Sequence, residues 1–416
     1  NNNNKNSSGI KKNHIKYKRN NSHNLTRKSL ENKDKYSVTK ILKDKRYVLN
    51  SKIIDTLQGN IWKAKNIVSG DTVVIKITNK KLHKKGITLR HGRITKVQEN
   101  ILKERTIMED LQKLKPPRGF IKLIDFFRDR KNYFLVMEYG GNDFFSWVTD
   151  NHDKIKISEM SLKEWKKHIQ ILFCQMCHLV YFLHEKANCC HLDISLENML
   201  IKNVKYSRKS GKFISHGQIF FCDFGLSEIF DDDHSQYTIK KCTKFVGKSQ
   251  YKSPEVYAKK KFDAKKADCY SLIICLFMMV IGAPPYEKPT FKDATFKFIW
   301  NGYLKILLKQ WKRHTYMNDD IYDLFSNVIC NEHKRYDIIK ILKHKYIKSL
   351  NKKSFKSSSH SNIVDNLFSD HTSNKKRSTK KHKKAKTPTK HKNKKSPSNE
   401  IDTQTIKTWF QFQKNK

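Results

Sequence analysis

The sequence predicts a two-lobed α+β fold: a small antiparallel sheet with one helix, followed by a larger helical lobe. Three observations carry that prediction. Between residues 47 and 140, apolar residues fall in short strand-like runs such as Thr72-Val73-Val74-Ile75-Lys76-Ile77 and Tyr133-Phe134-Leu135-Val136-Met137. One helical stripe interrupts them, with Val97, Ile101, Met108 and Leu111 largely on one face. From Ser161 onward the period becomes helical, with Ile169, Leu172, Phe173, Met176, Leu179, Val180 and Leu183 forming one stripe. Two lobes of different texture leave a cleft between them, and such clefts collect ligands.

Composition sets the boundaries. The chain has 416 residues, 86 Lys and Arg against 39 Asp and Glu, and a net charge of +47. Residues 1–46 read as a basic, Asn/Lys-rich flexible arm, 47–350 as the folded domain (lobes meeting near 139 and 140), and 351–416 as a Lys/Ser-rich basic tail, mostly disordered. Its 24 Phe, 17 Tyr and 6 Trp exclude a wholly solvated coil. The longest apolar run, Leu272 to Ile281, is too short to span a bilayer, which takes ~18 residues. The charge invites a nucleic-acid or acidic-membrane partner. The rival account is codon bias, since Lys, Asn and Ile dominate as A/T-rich codons would make them. The nine Cys are an odd number set in apolar runs, which reads as buried, reduced thiols inside a cell. Cys174 and Cys177 lie on a helical stripe and read as core instead of a zinc site. The expected location is intracellular, cytoplasmic or nuclear; the chain begins at Asn1 without Met, so an N-terminal signal stays open.

Three motifs follow in order: His191-Leu192-Asp193-Ile194-Ser195-Leu196-Glu197-Asn198, then Asp223-Phe224-Gly225, then Ser253-Pro254-Glu255. With Val73-Val74-Ile75-Lys76 upstream, the set resembles the eukaryotic protein kinase family over about 300 residues. The resemblance implies a bilobal kinase fold that uses ATP and Mg²⁺ to phosphorylate protein substrates, of the serine/threonine type. In that reading Lys76 holds the α and β phosphates and is itself fixed by Glu104, chosen over Glu99 because Met108 follows one turn later. Asp223 and Asn198 hold Mg²⁺, and Asp193 orients the substrate hydroxyl and accepts its proton. Gly59, Ile61, Val74 and Leu200 enclose the nucleotide. Met137 is the gatekeeper, Glu138 and Tyr139 form the hinge against adenine, and Asp143 is a candidate ribose contact. Asp268 is expected to brace the catalytic loop, and Arg335 to pair with Glu255.

Departures from the pattern sharpen the reading. The phosphate-covering loop has Ile54 and Thr56 where glycines would stand, which implies weaker or slower nucleotide binding. Leu192 replaces the arginine that pairs with an activation-segment phosphate in relatives, so phosphorylation of Thr238 or Thr243 is not expected to be obligatory. Ser195 replaces a lysine that helps neutralise the γ-phosphate, and Lys248 stands where relatives carry threonine. Lys248 is therefore expected to reach back to Asp193 and restore that charge. Tyrosine kinases also lack that lysine, which leaves the hydroxyl specificity open. Two long segments, Asn79 to Arg93 and Lys202 to Gln218, read as a solvated loop and a lengthened hairpin, either able to serve in docking.

The arms hold +11 (residues 1–46) and +14 (residues 351–416) of the +47. The basic block from Lys375 to Lys395 fits an import receptor, nucleic acid or anionic lipid. The segment Thr403 to Phe410 resembles a clamp-binding box without its leading glutamine; packing on the chain's own small lobe, or no role, are the rival readings. Within the domain, Lys240, Lys241, Lys244, Lys248 and Lys252 cluster near the substrate groove, which predicts acidic residues around the acceptor. Two function classes stand at this point: a protein kinase, or a catalytically weak kinase-fold scaffold or basic nucleic-acid binder.

Overall fold

Strand Thr72–Asn79 is nearly continuous in apolar and β-branched residues, and it becomes the middle of the first lobe. The computed structural model describes residues 41–42, 46–90, 93–230, 241–242 and 247–354. The chain opens with β1 (Ile41–Leu42), β2 (Tyr47–Asp55), β3 (Gly59–Asn66) and β4 (Thr72–Asn79). A helix α1 (Lys80–Lys85), a hairpin of β5 (Ile87–Arg90) and β6 (Arg93–Lys96), helix α2 (Ile101–Lys113), β7 (Leu123–Arg128) and β8 (Asn132–Glu138) follow. Six strands form one antiparallel sheet in the order β1-β2-β3-β4-β8-β7. Tyr47, Leu49, Ala64, Val73, Ile75, Phe134 and Val136 make its core, and Leu42 joins them. The sheet therefore starts within the stretch that composition assigns to the arm.

Helix α2 buries Ile101, Ile107, Met108 and Leu111, and with them Glu104. Asn100 caps it by accepting from the backbone N–H groups of Leu102 and Lys103. Val97, counted in the helical stripe, lies before the helix begins. The segment after β4 is not a plain loop. Asn79 caps α1 through the N–H groups of Lys81 and Leu82, Gly86 ends it in the left-handed region, and the β5–β6 hairpin closes behind it.

The second lobe holds β9 (Asn142–Asp143), α3 (Phe144–Lys156), α4 (Leu162–Glu185), β10 (Cys189–Cys190), the hairpin β11 (Met199–Ser207) and β12 (Lys212–Phe221), and β13 (Glu228–Ile229). It continues through β14 (Lys241–Cys242), α5 (Pro254–Tyr257), β15 (Phe262–Asp263), α6 (Ala264–Ile281), α7 (Ala294–Trp300), α8 (Leu304–Gln310), α9 (Asp319–Val328), α10 (Ile338–Lys343) and α11 (Lys345–Ser354). Helix α6 is apolar almost all round and buried almost throughout, as an all-apolar helix must be. No helix among the described residues is long and apolar enough to cross a membrane. The lengthened hairpin is paired from Met199↔Phe221 to Ser207↔Lys212, and it packs on α4 through His168, whose ring stacks on Phe213 at 3.6 Å. Cys174, Cys177, Cys189, Cys190, Cys269 and Cys275 are buried free thiols. The arm before residue 41, the basic block and the clamp-like segment lie outside the described residues.

One buried ion pair ties the helical lobe together. Arg335 is 1% exposed. It makes a two-pronged pair with Glu255 and donates to the carbonyls of Val328 and Cys330 at 3.1 and 3.0 Å. Removing one partner strands a charge away from water. Arg335→Ala is expected to lower unfolding free energy by about 3–5 kcal/mol, whereas a double change to Met at Arg335 and Leu at Glu255 costs much less. Urea denaturation of the two variants checks this; equal losses would contradict it.

Candidate active site

Antiparallel register places the small-lobe residues on one face. Ile61 of β3 and Leu135 of β8 lie opposite Lys76, and Val74 lies opposite Met137. Cross-strand partners and i, i+2 neighbours share a face, so Ile61, Val74, Lys76 and Met137 point the same way. Gly59 has a further reason to be glycine: a Cβ there would stand 1.8 Å from the Ile77 carbonyl oxygen, so β3 can approach β4 only without one.

Lys76 is 6% exposed, and its ammonium lies 2.8 Å from Glu104 Oε2 and 3.0 Å from Asp223 Oδ1. Burial alone would lower its pKa; the carboxylates of Asp223 and Glu104 outweigh that and hold it well above the ordinary lysine range. Burial raises Glu104 to about 7 against the pull of Lys76. Burial also opposes the charge on Asp223, but Lys76 wins and keeps it below the ordinary carboxylate range.

The opposite wall is the loop after β10. Asp268 of α6 accepts from the backbone N–H groups of His191 and Leu192 at 2.7 and 2.8 Å, and His184 Nε2 lies 3.1 Å away. This brace holds Leu192 at φ 62°, and Asp223, which follows Cys222 whose N–H donates to the Asn198 carbonyl at 3.1 Å, stands at φ 65°. Such left-handed residues cost about 1–3 kcal/mol each and persist only where the surroundings fix them. Asn198 Nδ2 donates to Asp193 Oδ2 at 2.6 Å and to its carbonyl at 2.9 Å. That turns Asn198 Oδ1 toward Lys248 Nζ, 3.0 Å away. The same ammonium lies 2.8 Å from Ser195 Oγ and 3.4 Å from Asp193 Oδ2, and the Lys248 N–H donates to Asp193 Oδ1 at 3.1 Å. One cation thus touches three side chains of the loop.

The remaining sequence candidates divide. Glu138 uses its carboxylate to accept from the Lys122 N–H at 2.9 Å, which fixes the strand leading to Tyr139. Leu200 packs against the hinge at Gly140, and Gly141 (φ 104°) brings the backbone so near Ile201 that a Cβ would lie 2.3 Å from its carbonyl oxygen. Asp143 is committed to capping α3, accepting from the Ser146 N–H at 2.6 Å, and it is exposed. Lys252 is 7% exposed and lines the same small cavity as Asp193 and Lys248. Lys240 and Lys244 lie outside the described residues. Cys174 and Cys177 remain thiols in the core. The described residues hold one cluster of metal-capable groups, His184, Cys190 and Asp268. Its aspartate is already occupied by two backbone N–H groups.

Sequence reasoning missed Glu99. It was set aside as the partner of Lys76, yet it stands at the mouth of the site: its Cβ is 3.5 Å from where a Gly225 Cβ would be, and the Asn100 N–H donates to the Gly225 carbonyl at 3.3 Å. Burial and the neighbouring Asp223 raise its pKa. Lys103 turns instead to Glu228, 2.6 Å away. Leu192 sits in an apolar cluster with Val256, Phe262 and Ala267, with Leu226 and Phe230 packed on it. The Leu192 side chain itself offers a phosphate no donor.

The pH dependence follows from Glu104. Above about pH 7 it is anionic and fixes Lys76; as pH falls through about 7 it takes a proton and the pair loosens. Affinity for Mg-nucleotide is expected to fall on that limb, and Glu104→Gln to remove the dependence at a lower plateau. Calorimetric titrations from pH 6 to 8 measure both; a flat wild-type profile would contradict the assignment.

A protein kinase domain model matches residues 49–347 of this chain. The chain is 27% identical over 329 residues to the serine/threonine-protein kinase srk1 of Schizosaccharomyces pombe, covering 73% of this chain and 52% of that protein. It is also 27% identical over 291 residues to the CBL-interacting serine/threonine-protein kinase 18 of Arabidopsis thaliana, covering 69% and 46%. The chain thus spans about half the length of these curated relatives. A domain match over more than half of the chain, on a bilobal fold with these motifs facing one cleft, has one meaning: the chain belongs to the protein kinase family.

Proposed function

We propose that this chain is an ATP- and Mg²⁺-dependent kinase acting on serine or threonine hydroxyls of proteins. The observation that carries the reading is convergence. Lys76, Glu104 and Asp223 on one side and Asp193, Asn198 and Lys248 on the other come from separate segments and meet at one cleft. A scaffold or nucleic-acid binder has no chemical use for that set. The residues suit the metal: the Asp223 carboxylate is the hard donor Mg²⁺ takes and its side chain is still 35% exposed, while Asn198 carries a carboxamide oxygen that would turn from Lys248 to the metal. Bound there, Mg²⁺ supplies neutralisation of phosphate charge.

The protein's own groups do the rest. Lys76, locked by Glu104, presents a fixed cation for the α and β phosphates. Asp193, held by Asn198 and by the Lys248 N–H, orients the incoming hydroxyl and takes its proton as the oxygen bonds to the γ-phosphorus and the bond to ADP breaks. Lys248 sets a positive charge beside that carboxylate, where charge moves in the transition state. The apolar setting of Leu192 supports activity without activation-segment phosphorylation. Both relatives are named serine/threonine kinases, which favours that specificity over tyrosine.

Radiolabel transfer from ATP to a serine- and threonine-containing protein substrate, by wild type beside Asp193→Ala, tests the reading. Transfer by the wild type and its near-complete loss in the variant are expected; equal labelling would contradict it. Lys248→Ala is expected to lower kcat by about 10²-fold, the usual cost of a transition-state charge contact. A fall smaller than ~3-fold would remove Lys248 from the mechanism.

A further inference from the structure

We infer that the segment after β4, in its described residues 79–90 and 93–97, is a clamp that positions the phosphate-covering loop, with Gln58 and Thr88 as its positioning residues. The inference deepens the kinase reading and rests on it for its kinetic arm. The loop Thr56–Gln58 joins β2 to β3 and is the turn that would cover the nucleotide phosphates. It is short of glycine, so its backbone has little freedom to settle on a ligand from many conformations. The fold supplies another means of placing it.

Gln58 is 6% exposed, and its amide nitrogen donates to the carbonyls of Leu82 in α1 (3.2 Å) and Ile87 in β5 (3.0 Å). Thr88 is 3% exposed, and its hydroxyl donates to the Leu57 carbonyl. The Asn79 N–H donates to the Gln58 carbonyl at 2.8 Å, and within the turn the Thr56 N–H reaches the Gly59 carbonyl at 2.9 Å. Residues 57 and 58 are therefore held by four residues of the inserted segment, with three of the contacts made by two buried side chains. Losing either donor releases the turn from the segment behind it, although the Leu82 carbonyl keeps the Gly86 N–H as a partner.

The clamp is anchored at both ends to other parts of the site. It leaves β4 three residues after Lys76, and it closes when the Val97 N–H donates to the Gly86 carbonyl at 2.8 Å. Three residues later the Asn100 N–H meets Gly225. One element thus spans the loop, the strand of Lys76 and the Asp223-Phe224-Gly225 turn. Preorganising a binding loop lowers the entropy lost on binding, and loosening it weakens affinity more than the chemical step.

The test uses the full chain with Gln58→Leu, Thr88→Val and Thr88→Ser. Gln58→Leu and Thr88→Val are expected to raise the KM for MgATP roughly 5- to 20-fold with kcat at saturation within about 3-fold, as for loss of one or two hydrogen bonds. Thr88→Ser, which keeps the donor, is expected to stay near wild type. Backbone amide exchange at residues 56–59 is expected to quicken in the first two variants, with β7 and β8 unchanged. An unchanged KM together with unchanged exchange would overturn the inference, as would equal quickening across the whole small lobe, which marks general destabilisation. If wild type transfers no phosphate, the kinase reading fails; the exchange measurement still decides the clamp.

Discussion

A lysine ammonium buried between two carboxylates organises this molecule. Taking Lys76 out of water costs several kcal/mol, and only close, well-placed opposite charge returns it. Glu104 and Asp223 supply that charge from elements 28 and 147 residues away in sequence. The small lobe can satisfy Lys76 only if α2 docks with Glu104 turned inward and the turn after β12 brings Asp223 under the sheet. The capped start of α2, the apolar stripe of Met108 and Leu111, and the left-handed backbone at Asp223 are the local means of meeting that demand.

The opposing wall obeys a second constraint, that a strained loop must be held by groups which cannot move. Asp268 at the start of the buried helix α6 binds two consecutive backbone N–H groups, so the conformation of the loop is set from the core. Tyr251 donates to Glu197 at 2.8 Å and adds a tie from the segment that carries Lys248. Leu192 then faces apolar neighbours where a charged residue would face a phosphate. Hydrogen bonds to Asp193 and Glu197 tie the described part of this segment to the loop.

Much of this was legible in the sequence, for identifiable reasons. Two lobes were visible because strand and helix periods follow from where apolar side chains must point. Glu104 was distinguishable from Glu99 because a helix face is fixed by spacing, and Met108 marks the buried one. Asp268 and Arg335 were found through resemblance, since nothing in a lone Asp or Arg announces a buried partner 76 or 80 residues away. What escaped was decided by tertiary contact. Glu99 reaches the site because the chain before α2 crosses Gly225. The burial of Lys252 beside Asp193 and Lys248 does not show in a run of lysines. Residues 79–97 look like a basic loop, yet capping by Asn79, a glycine stop at Gly86 and the grip of Gln58 order them. Leu42 falls in a stretch that composition assigns to a polar arm, because its apolar neighbours are few, but the two pairings Ile41↔Val48 and Leu42↔Tyr47 suffice to add a strand.

The account holds that the charge at the reacting phosphate matters and the segment that supplies it does not. Lys248 and Ser195 touch at 2.8 Å, so exchanging them keeps the contact and moves the ammonium from one chain segment to the other. The direct measurement is single-turnover phosphate transfer by Ser195→Lys, Lys248→Thr and the double exchange. Recovery of most of the wild-type rate in the double exchange, from a single Lys248→Thr variant depressed by about 10²-fold, is the predicted result. A double exchange no faster than Lys248→Thr alone would contradict it.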